Sequence, residues 1–127
     1  MEKYYDNHEL KNFMGSTFHG NYVYVLELQQ GKYYIGKSEN LLVRIRDHVS
    51  MGMSFWTETY KVCRVVEIIQ GGFFMENLKT LEYMKNYGCK NVRGGSWCKK
   101  NLRYDPTIND NITKYYTYDN ISKYSRD

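Results

Sequence analysis

Two short runs of residues separated by a three-residue loop constrain the fold of this chain most strongly. Residue character alternates from Asn21 to Leu28, and the next run closes with Tyr34-Ile35-Gly36. The loop, Gln29-Gln30-Gly31, suits a hairpin whose last loop residue is left-handed, a conformation that glycine adopts without steric strain. The pattern therefore predicts a β-hairpin whose register places Leu28 opposite Lys32.

The same register predicts that Tyr24 lies opposite Gly36. Because side chains alternate between the two faces of a strand, Tyr24 and Tyr34 are expected on one face, with their hydroxyls on a diagonal. Tyrosine clusters usually serve packing. On hairpin geometry alone, packing is the favoured interpretation, and catalysis needs further support.

A helix of about ten residues is expected after the hairpin. Ser38-Glu39-Asn40 offers capping side chains, and Gly52 ends the segment. The apolar stripe consists of Leu41, Leu42, Ile45 and Val49. Arg44 and His48 are four residues apart at the edge of this stripe, where a reactive cleft could form. The alternative is an arginine paired with a nearby carboxylate and a solvated histidine.

The following segment predicts a third strand and a second helix. Lys61 to Gln70 is rich in valine and isoleucine and reads as a largely buried strand. The helix runs from about Phe73 to Tyr87, with Gly88 as its stop. Its expected apolar face is formed by Phe74, Leu78, Leu81 and Met84. Glu76 lies on a different stripe with Thr80, Tyr83 and Tyr87, which suits the lining of a cleft, although solvent exposure is the usual state of a helix carboxylate.

The loop after Gly88 combines polar groups that could hold a phosphate. Asn91, Arg93 and the pair Gly94-Gly95 offer a guanidinium and backbone amides, and a plain turn is the competing interpretation. Farther along, Asp105-Pro106 is a plausible helix start. The residues from 101 to 127 could form a covering helix, a partner surface or a disordered tail.

The ordered set of these motifs resembles the GIY-YIG endonuclease superfamily from about residue 21 to about residue 97. The second triplet is present as Tyr34-Ile35-Gly36. The first is Tyr22-Val23-Tyr24, in which Tyr22 stands where the family usually has glycine and Val23 replaces isoleucine. Arg44 matches the helix arginine, His48 the basic residue one turn later, and Glu76 the carboxylate of the second helix. The runs Ser54 to Thr57 and Asn91 to Trp97 look like one branch of small stand-alone members.

The resemblance implies a mixed α/β (α+β) fold, with a three-stranded antiparallel sheet flanked by helices. It also implies a DNA endonuclease that uses Mg²⁺ or Mn²⁺ to hydrolyse phosphodiester bonds. The expected catalytic residues are Tyr24, Tyr34, Arg44, His48 and Glu76. Glu76 would hold the metal, Arg44 would contact the scissile phosphate, and Tyr24 is the first choice for the general base, ahead of His48. The residues expected to bind nucleic acid are Lys37, Arg46, Asn91 and Arg93.

Size and composition are consistent with one domain. We expect an extension over residues 1–20, a nuclease-like domain over 21–100 and a tail over 101–127. The net charge of +4 suits a polyanionic partner such as DNA but is modest. Leu, Ile, Val and Phe make up only 28 of 127 residues, so the 14 tyrosines must help to fill the core and need hydrogen-bond partners there.

The sequence carries no signature of a zinc site, a signal peptide or a membrane span. The three cysteines have no metal-ligand spacing and are expected to be reduced. A soluble intracellular protein is expected, and the abundance of Asn, Lys, Tyr and Ile is typical of an AT-rich genome such as that of a virus or phage. Pairing of two protomers on one duplex stays open.

Two other classes of function compete with the endonuclease. One is a nucleic-acid-binding module on the same scaffold that no longer cuts, and the other is a tyrosine-rich interaction protein. The latter predicts no salt-sensitive DNA binding. Retention of both the arginine and the carboxylate favours the enzyme.

Overall fold

A computed structural model describes residues 20–108 of the chain, and it confirms the hairpin. Strands β1 (Tyr22–Leu28) and β2 (Lys32–Ser38) pair antiparallel, with Leu28 opposite Lys32 and Tyr24 opposite Gly36. Gly31 has φ +71°, as the loop requires, and Gln30 is also left-handed with φ 64°. The hairpin register therefore follows from the loop chemistry that the sequence displays.

The sheet of the described region has four strands instead of the three predicted. Strand β3 (Val62–Gln70) pairs antiparallel with β1, and β4 (Val92–Gly94) pairs parallel with β2, which gives the order β3-β1-β2-β4. β4 has three residues, too few to display an alternating pattern, so it could not be recognised from sequence. The mixed architecture of a sheet flanked by helices is confirmed.

The expectation that the third strand is largely buried was wrong in degree. β3 forms one edge of the sheet, and only Val65 and Val66 within it are buried. A register shift in the β1–β3 pairing between Val25 and Leu26 interrupts the alternation. Edge position and the bulge together leave the remaining aliphatic residues half-buried.

Three helices cover the two faces of the sheet. Helix α1 (Leu41–Ser50) and the short helix α2 (Phe55–Thr59) pack on the face that carries Tyr24, Leu26 and Leu28. Helix α3 (Phe73–Tyr87) packs on the other face against Val23, Val25 and Ile35. The site described below is built from residues of both layers.

Helix α1 has the predicted bounds but a different buried face. Leu41 and Ile45 are buried as expected, whereas Val49 is 50% exposed and His48 is buried in its place. The sequence predicted His48 at the boundary because it lies with Arg44 on one edge of the apolar stripe, and an isolated imidazole is costly to bury. Two hydrogen bonds, described below, offset that cost. Asn40 is the N-cap residue, but its side chain makes no capping hydrogen bond.

Helix α3 spans the predicted residues and ends at Gly88, which has φ +96°. Its predicted apolar face was partly wrong: Leu81 and Met84 are buried, but Phe74 and Leu78 are only half-buried. The rest of the buried face is polar or aromatic: Glu76, Asn77, Thr80 and Tyr83. Hydrogen bonds permit this, since Thr80 Oγ1 donates to the Glu76 carbonyl at 2.7 Å.

Among residues 20–108, Tyr24, Tyr33 and Tyr83 are buried in the core, as predicted for part of the tyrosines. Tyr33 stacks on Tyr87 with ring centroids 4.4 Å apart and contacts Tyr83 at 5.4 Å. The Tyr83 hydroxyl donates to the Glu67 carboxylate, which also accepts from Lys79 at 3.1 Å. Cys63, Cys89 and Cys98 are free thiols. No helix between residues 20 and 108 has the length and apolar character needed to span a bilayer.

The terminal predictions are only partly accessible to comparison. Asp105 and Pro106 enter a turn, in which Thr107 N donates to Asp105 Oδ1 at 2.9 Å, and no helix begins before Ile108. The remainder of the predicted helix, and the predicted extension over residues 1–19, lie outside the described residues.

Candidate active site

Three aromatic side chains that are far apart in sequence meet on one face of the sheet. The rings of Tyr24 and Tyr34 lie 6.5 Å apart, as their shared face in the hairpin requires. His48, from α1, lies 5.6 Å from the Tyr24 ring and 4.9 Å from the Tyr34 ring, measured between centroids. The structure thus brings together three of the five predicted catalytic residues in direct contact.

A hydrogen-bonded chain links Tyr24 to α2 through His48. The Tyr24 hydroxyl lies 2.8 Å from His48 Nε2, and His48 Nδ1 lies 2.9 Å from Thr57 Oγ1. Thr57 Oγ1 also accepts from the backbone N–H of Ser54 at 3.2 Å, within a capping box that starts α2. If Nδ1 donates to Thr57, Nε2 carries a lone pair and accepts the Tyr24 hydroxyl proton.

Gly36 provides the space for the Tyr24 hydroxyl. A Cβ atom at this position would lie 2.5 Å from Tyr24 Cζ and closer still to its hydroxyl oxygen. The cross-strand pairing of these two residues therefore requires glycine at position 36, independently of any need for a positive φ.

Replacement of Gly36 by alanine should displace the Tyr24 ring and break its hydrogen bond to His48. We expect the cleavage activity that the resemblance implies to fall by about 100-fold, the scale of a 1 Å misplacement of a catalytic group. The free energy of unfolding should fall by only about 1–3 kcal/mol, the usual cost of one added methyl in a packed site. Nuclease assays and urea unfolding would measure both effects.

Gly20→Ala is the control for lost stability without a change at the site: a Cβ at Gly20 meets no atom within 4 Å, but the φ of +86° disfavours alanine and should lower the free energy of unfolding. Like Gly36→Ala it adds one methyl group, but it should leave cleavage unchanged. A fully active Gly36→Ala protein would show that the position of the Tyr24 hydroxyl does not govern catalysis.

Two opposite charges act on the tyrosine pair. Burial raises the pKa of both hydroxyls well above the ordinary value of 10; the Arg44 guanidinium lowers these pKa values and the Glu76 carboxylate raises them. Arg44 is exposed on α1, whereas Glu76 is buried at 9% exposure at the start of α3. Both predicted charged residues therefore lie near the hydroxyls, from opposite layers of the fold.

His48 is neutral at physiological pH. Burial and the nearby Arg44 lower its pKa from 6.5 to about 4, against a small opposing effect of Asp47. Its side chain is 3% exposed, so the imidazolium would be poorly solvated. A neutral imidazole retains a lone pair that can accept a proton over the whole neutral range.

The depressed pKa of His48 predicts that the protein loses stability on mild acidification. Between pH 6.5 and about 4 the unfolded chain binds a proton at His48 and the folded chain does not, so the free energy of unfolding falls as the pH falls. The full loss should be about 3 kcal/mol. Urea unfolding of the natural protein and of His48→Gln should be compared between pH 7.5 and pH 4. The difference gives the contribution of His48 to the free energy of unfolding, since carboxylate titration is common to both proteins. If the free energy of unfolding falls equally with pH in both proteins, the pKa of His48 is not depressed.

The donor set suits a cation that is shared with a substrate. No group of three or more His, Cys, Asp or Glu side chains in the described part of the chain could enclose a metal ion. Mg²⁺ commonly binds through one or two carboxylates plus substrate phosphates and keeps several waters. The buried carboxylate of Glu76 fits that mode of binding, and an all-protein cage does not form there.

Two of the residues predicted to bind phosphate are instead structural. Arg93 is 5% exposed, and its guanidinium donates to the carbonyls of Cys89, Val92, Lys99 and Lys100 at 2.6 to 3.0 Å. Asn91 accepts from Lys32 Nζ at 2.8 Å and donates to the Tyr87 carbonyl at 2.7 Å. Their polar groups are thus used within the protein. The prediction for Arg93 was wrong, because β4 carries it into the interior.

The glycine pair after Arg93 also has a packing role. The Gly94 amide donates to the Trp97 carbonyl at 3.0 Å, so it is not available to an anion. A Cβ at Gly95 would collide with the Asn77 side chain, which accepts from Ser96 N at 2.9 Å. The competing interpretation of this loop, a plain turn, is the one that the structure favours.

Lys37 is half-buried on β2, and Arg46 is exposed on α1 with Asp47 3.8 Å away.

Sequence reasoning missed two residues at the site. Thr57 orients His48, and the Ser54-x-x-Thr57 spacing of a capping box was the available signal. Cys98 donates its thiol proton to the Gly95 carbonyl at 3.2 Å and lies near Tyr34 and Glu76. Burial and the Glu76 charge raise the pKa of the thiol. No local pattern marked Cys98, because its position depends on how the chain returns after β4.

One comparison with known proteins gave a match. No curated protein and no solved structure shows significant similarity to this chain. The family model described as the GIY-YIG catalytic domain matches residues 20–89. Since that match covers more than half of the chain and includes all five residues of the candidate active site, the chain belongs to the GIY-YIG family of nuclease domains.

Proposed function

We propose that the protein is a metal-dependent endonuclease that hydrolyses phosphodiester bonds in DNA. The observation that carries the proposal is the Tyr24 hydroxyl, which is hydrogen-bonded to a neutral His48 and lies under the influence of both Arg44 and Glu76. A purely structural tyrosine needs one hydrogen-bond partner. It does not need an exposed arginine from one layer and a buried carboxylate from the other.

Tyr24 is proposed to position and deprotonate the attacking water. Burial holds its pKa too high for a free phenolate, so its own proton must move to His48 Nε2 as it takes one from water. Thr57 holds His48 in the tautomer that can accept this proton. Water oxygen then forms a bond to phosphorus as the bond to the leaving oxygen breaks. Tyr34, beside both rings, would help to orient the water.

Arg44 is proposed to contact the scissile phosphate. Its planar guanidinium can donate to two phosphate oxygens at once and stays charged at any working pH. Exposure on α1 leaves it accessible to a bound strand. Lys37 and Arg46 are proposed to contact neighbouring phosphates.

Glu76 would hold a divalent cation, Mg²⁺ or Mn²⁺, together with the substrate phosphate. When bound, such a cation neutralises charge on the phosphate and stabilises the leaving oxygen. A buried carboxylate with restricted solvent access suits this role, because electrostatic interactions are stronger there than in water.

The test is incubation of purified protein with supercoiled plasmid and Mg²⁺, with nicked and linear products resolved on a gel. We expect cutting that stops when EDTA removes the metal. Predominant nicking would indicate one strand cut per encounter, and direct linearisation would indicate paired protomers.

Salt-sensitive binding of plasmid and of branched DNA, without cutting in Mg²⁺ or Mn²⁺, would instead favour the alternative of a non-cleaving nucleic-acid-binding module. Absence of binding at low salt would exclude both, because phosphate contacts dominate affinity under those conditions.

A further inference from the structure

A basic and aromatic pocket is lined by residues of α2 and of the segments that follow α3 and β4. It has a volume of about 300 Å³. Of the described residues that line it, three are basic and none is acidic. The basic residues are Lys90, Arg93 and Lys100, and the aromatic ones are Phe55, Trp56 and Tyr60. This pocket, called the α2 pocket below, has no part in the chemistry proposed above.

The side chains that line the α2 pocket are not fully packed or fully hydrogen-bonded. Phe55 is 46% exposed, and Lys100 Nζ lies 5.2 Å from the centre of its ring. The indole nitrogen of Trp56 is buried and has no hydrogen-bond partner among residues 20–108. Buried N–H groups in proteins are nearly always paired, so this wall lacks an acceptor. Since the nitrogen is closed to solvent, reaching it requires a small shift of neighbouring side chains.

Arg93 forms part of the wall of this pocket, and its side chain does not occupy the cavity. Its guanidinium carbon lies 4.7 Å from the centre of the Trp56 ring, and its donors hold the carbonyls of Cys89 and Lys100. These contacts fix the backbone beside Lys90 and at Lys100, two lysines that are exposed. The result is a rigid aromatic floor with two accessible cations at its edge.

The α2 pocket borders the active site along two segments of chain. Thr57, which contacts His48, directly follows Trp56. Cys98, which lies near Tyr34, precedes Lys100 by two residues, a span of at most about 7 Å. A strand bound with its scissile phosphate at Tyr24 and Arg44 could therefore reach this pocket with a nucleotide near the cleavage site.

We propose that the α2 pocket binds an unpaired nucleotide of the DNA strand that is cut, with its base against Phe55 and its phosphate against Lys90 and Lys100. The inference rests on the proposed function and narrows its substrate to DNA with unpaired nucleotides beside the cleavage site. A base inside a duplex is stacked on both faces and cannot lie on a protein ring. Aromatic platforms with adjacent cations are the usual means of binding single strands.

Fluorescence anisotropy in EDTA, which prevents cutting, tests this proposal. The probes are a labelled DNA duplex with blunt ends and the same duplex with a short unpaired extension. The natural protein should bind the extended probe more tightly. Phe55→Ala should weaken binding of the extended probe by about tenfold and leave the blunt probe unchanged. Lys100→Ala should reduce the salt dependence of binding by about one counterion.

Tyr104→Ala is the matched control, because Tyr104 is a comparably exposed ring, at 58%, that does not line the α2 pocket. It should bind both probes normally. Phe55→Leu keeps an apolar side chain without an aromatic face, so it provides a second variant if Phe55→Ala fails to fold. It should lose the preference for the extended probe as well.

Cleavage assays on the same two probes separate this inference from the proposed function. Equal affinity for the two probes, or an equal loss of affinity for both with Phe55→Ala, would overturn the proposal for the α2 pocket. Mg²⁺-dependent cutting would still establish the nuclease. Phe55-dependent binding of the extension without cutting of any DNA would support the pocket and overturn the nuclease.

Discussion

Replacement of Arg44 by alanine is expected to reduce DNA cleavage by about 10³-fold while the protein stays folded. Removal of one preorganised donor to developing negative charge typically costs 10²–10³ in rate, and a phosphate-bound arginine often more. Arg44 is exposed on α1 and does not contribute to the core, so the melting temperature should change little. Single-turnover cleavage of a short DNA substrate would measure the loss.

The Arg44→Ala variant also carries a readout that does not depend on catalysis. Arg44 is one of the causes that lower the pKa of His48 to about 4, so its removal should move that pKa upward. An NMR titration of the imidazole would detect the shift. Its absence would mean that Arg44 lies farther from the site than the structure indicates.

Two companion variants sharpen the interpretation of Arg44. Arg44→Lys keeps the charge but loses the planar fork, so it should retain an intermediate rate. Lys85→Ala removes an exposed cation in the last turn of α3, away from Glu76, and should cleave normally. Normal cleavage by Arg44→Ala would rule out the proposed phosphate contact.

Replacement of Glu76 by glutamine is expected to abolish metal-dependent cleavage, with a loss of at least about 100-fold. Mutation of residues that merely support a metal ligand already costs 10–100-fold. Glutamine has the shape of glutamate, so the buried position at the start of α3 should tolerate it. Cleavage should be measured over a range of Mn²⁺ concentrations.

A binding experiment distinguishes loss of the metal from other causes. Calorimetric titration of Mn²⁺ into the protein with an uncleavable DNA analogue should give a signal for the natural protein and a much weaker one for Glu76→Gln. Glu82→Gln is the matched control, since the Glu82 side chain is 50% exposed and pairs with Lys79 at 3.2 Å. A cleaving Glu76→Gln together with an inactive Glu82→Gln would transfer the ligand role to Glu82.

Features that depend on neighbours in sequence could be predicted before the structure was known. The loop Gln29-Gln30-Gly31 determines the hairpin register, and that register places Tyr24 beside Tyr34 and opposite Gly36. The bounds of α1 and α3 follow from their apolar periodicity and from Gly52 and Gly88, both with positive φ. Each of these depends on backbone conformations and hydrogen bonds within a few residues.

Other features depended on contacts between distant segments. Burial of His48 instead of Val49 requires Tyr24, 24 residues earlier, and Thr57, nine residues later, as hydrogen-bond partners. The sequence predicts Arg93 as a phosphate ligand. The pairing of β4 with β2 instead places it in the interior, where its guanidinium donates hydrogen bonds to four carbonyl groups. A polar residue is predicted to be exposed when its hydrogen-bond partners are not known.

The sequence alone determined the hairpin and the two long helices, because local conformation is a property of short segments. Tertiary structure decided which polar residues are buried, that a fourth strand joins the sheet, and that a basic and aromatic pocket lies beside α2. These outcomes depend on whether a distant segment supplies a hydrogen-bond or packing partner, and such partners are defined only when the chain has folded.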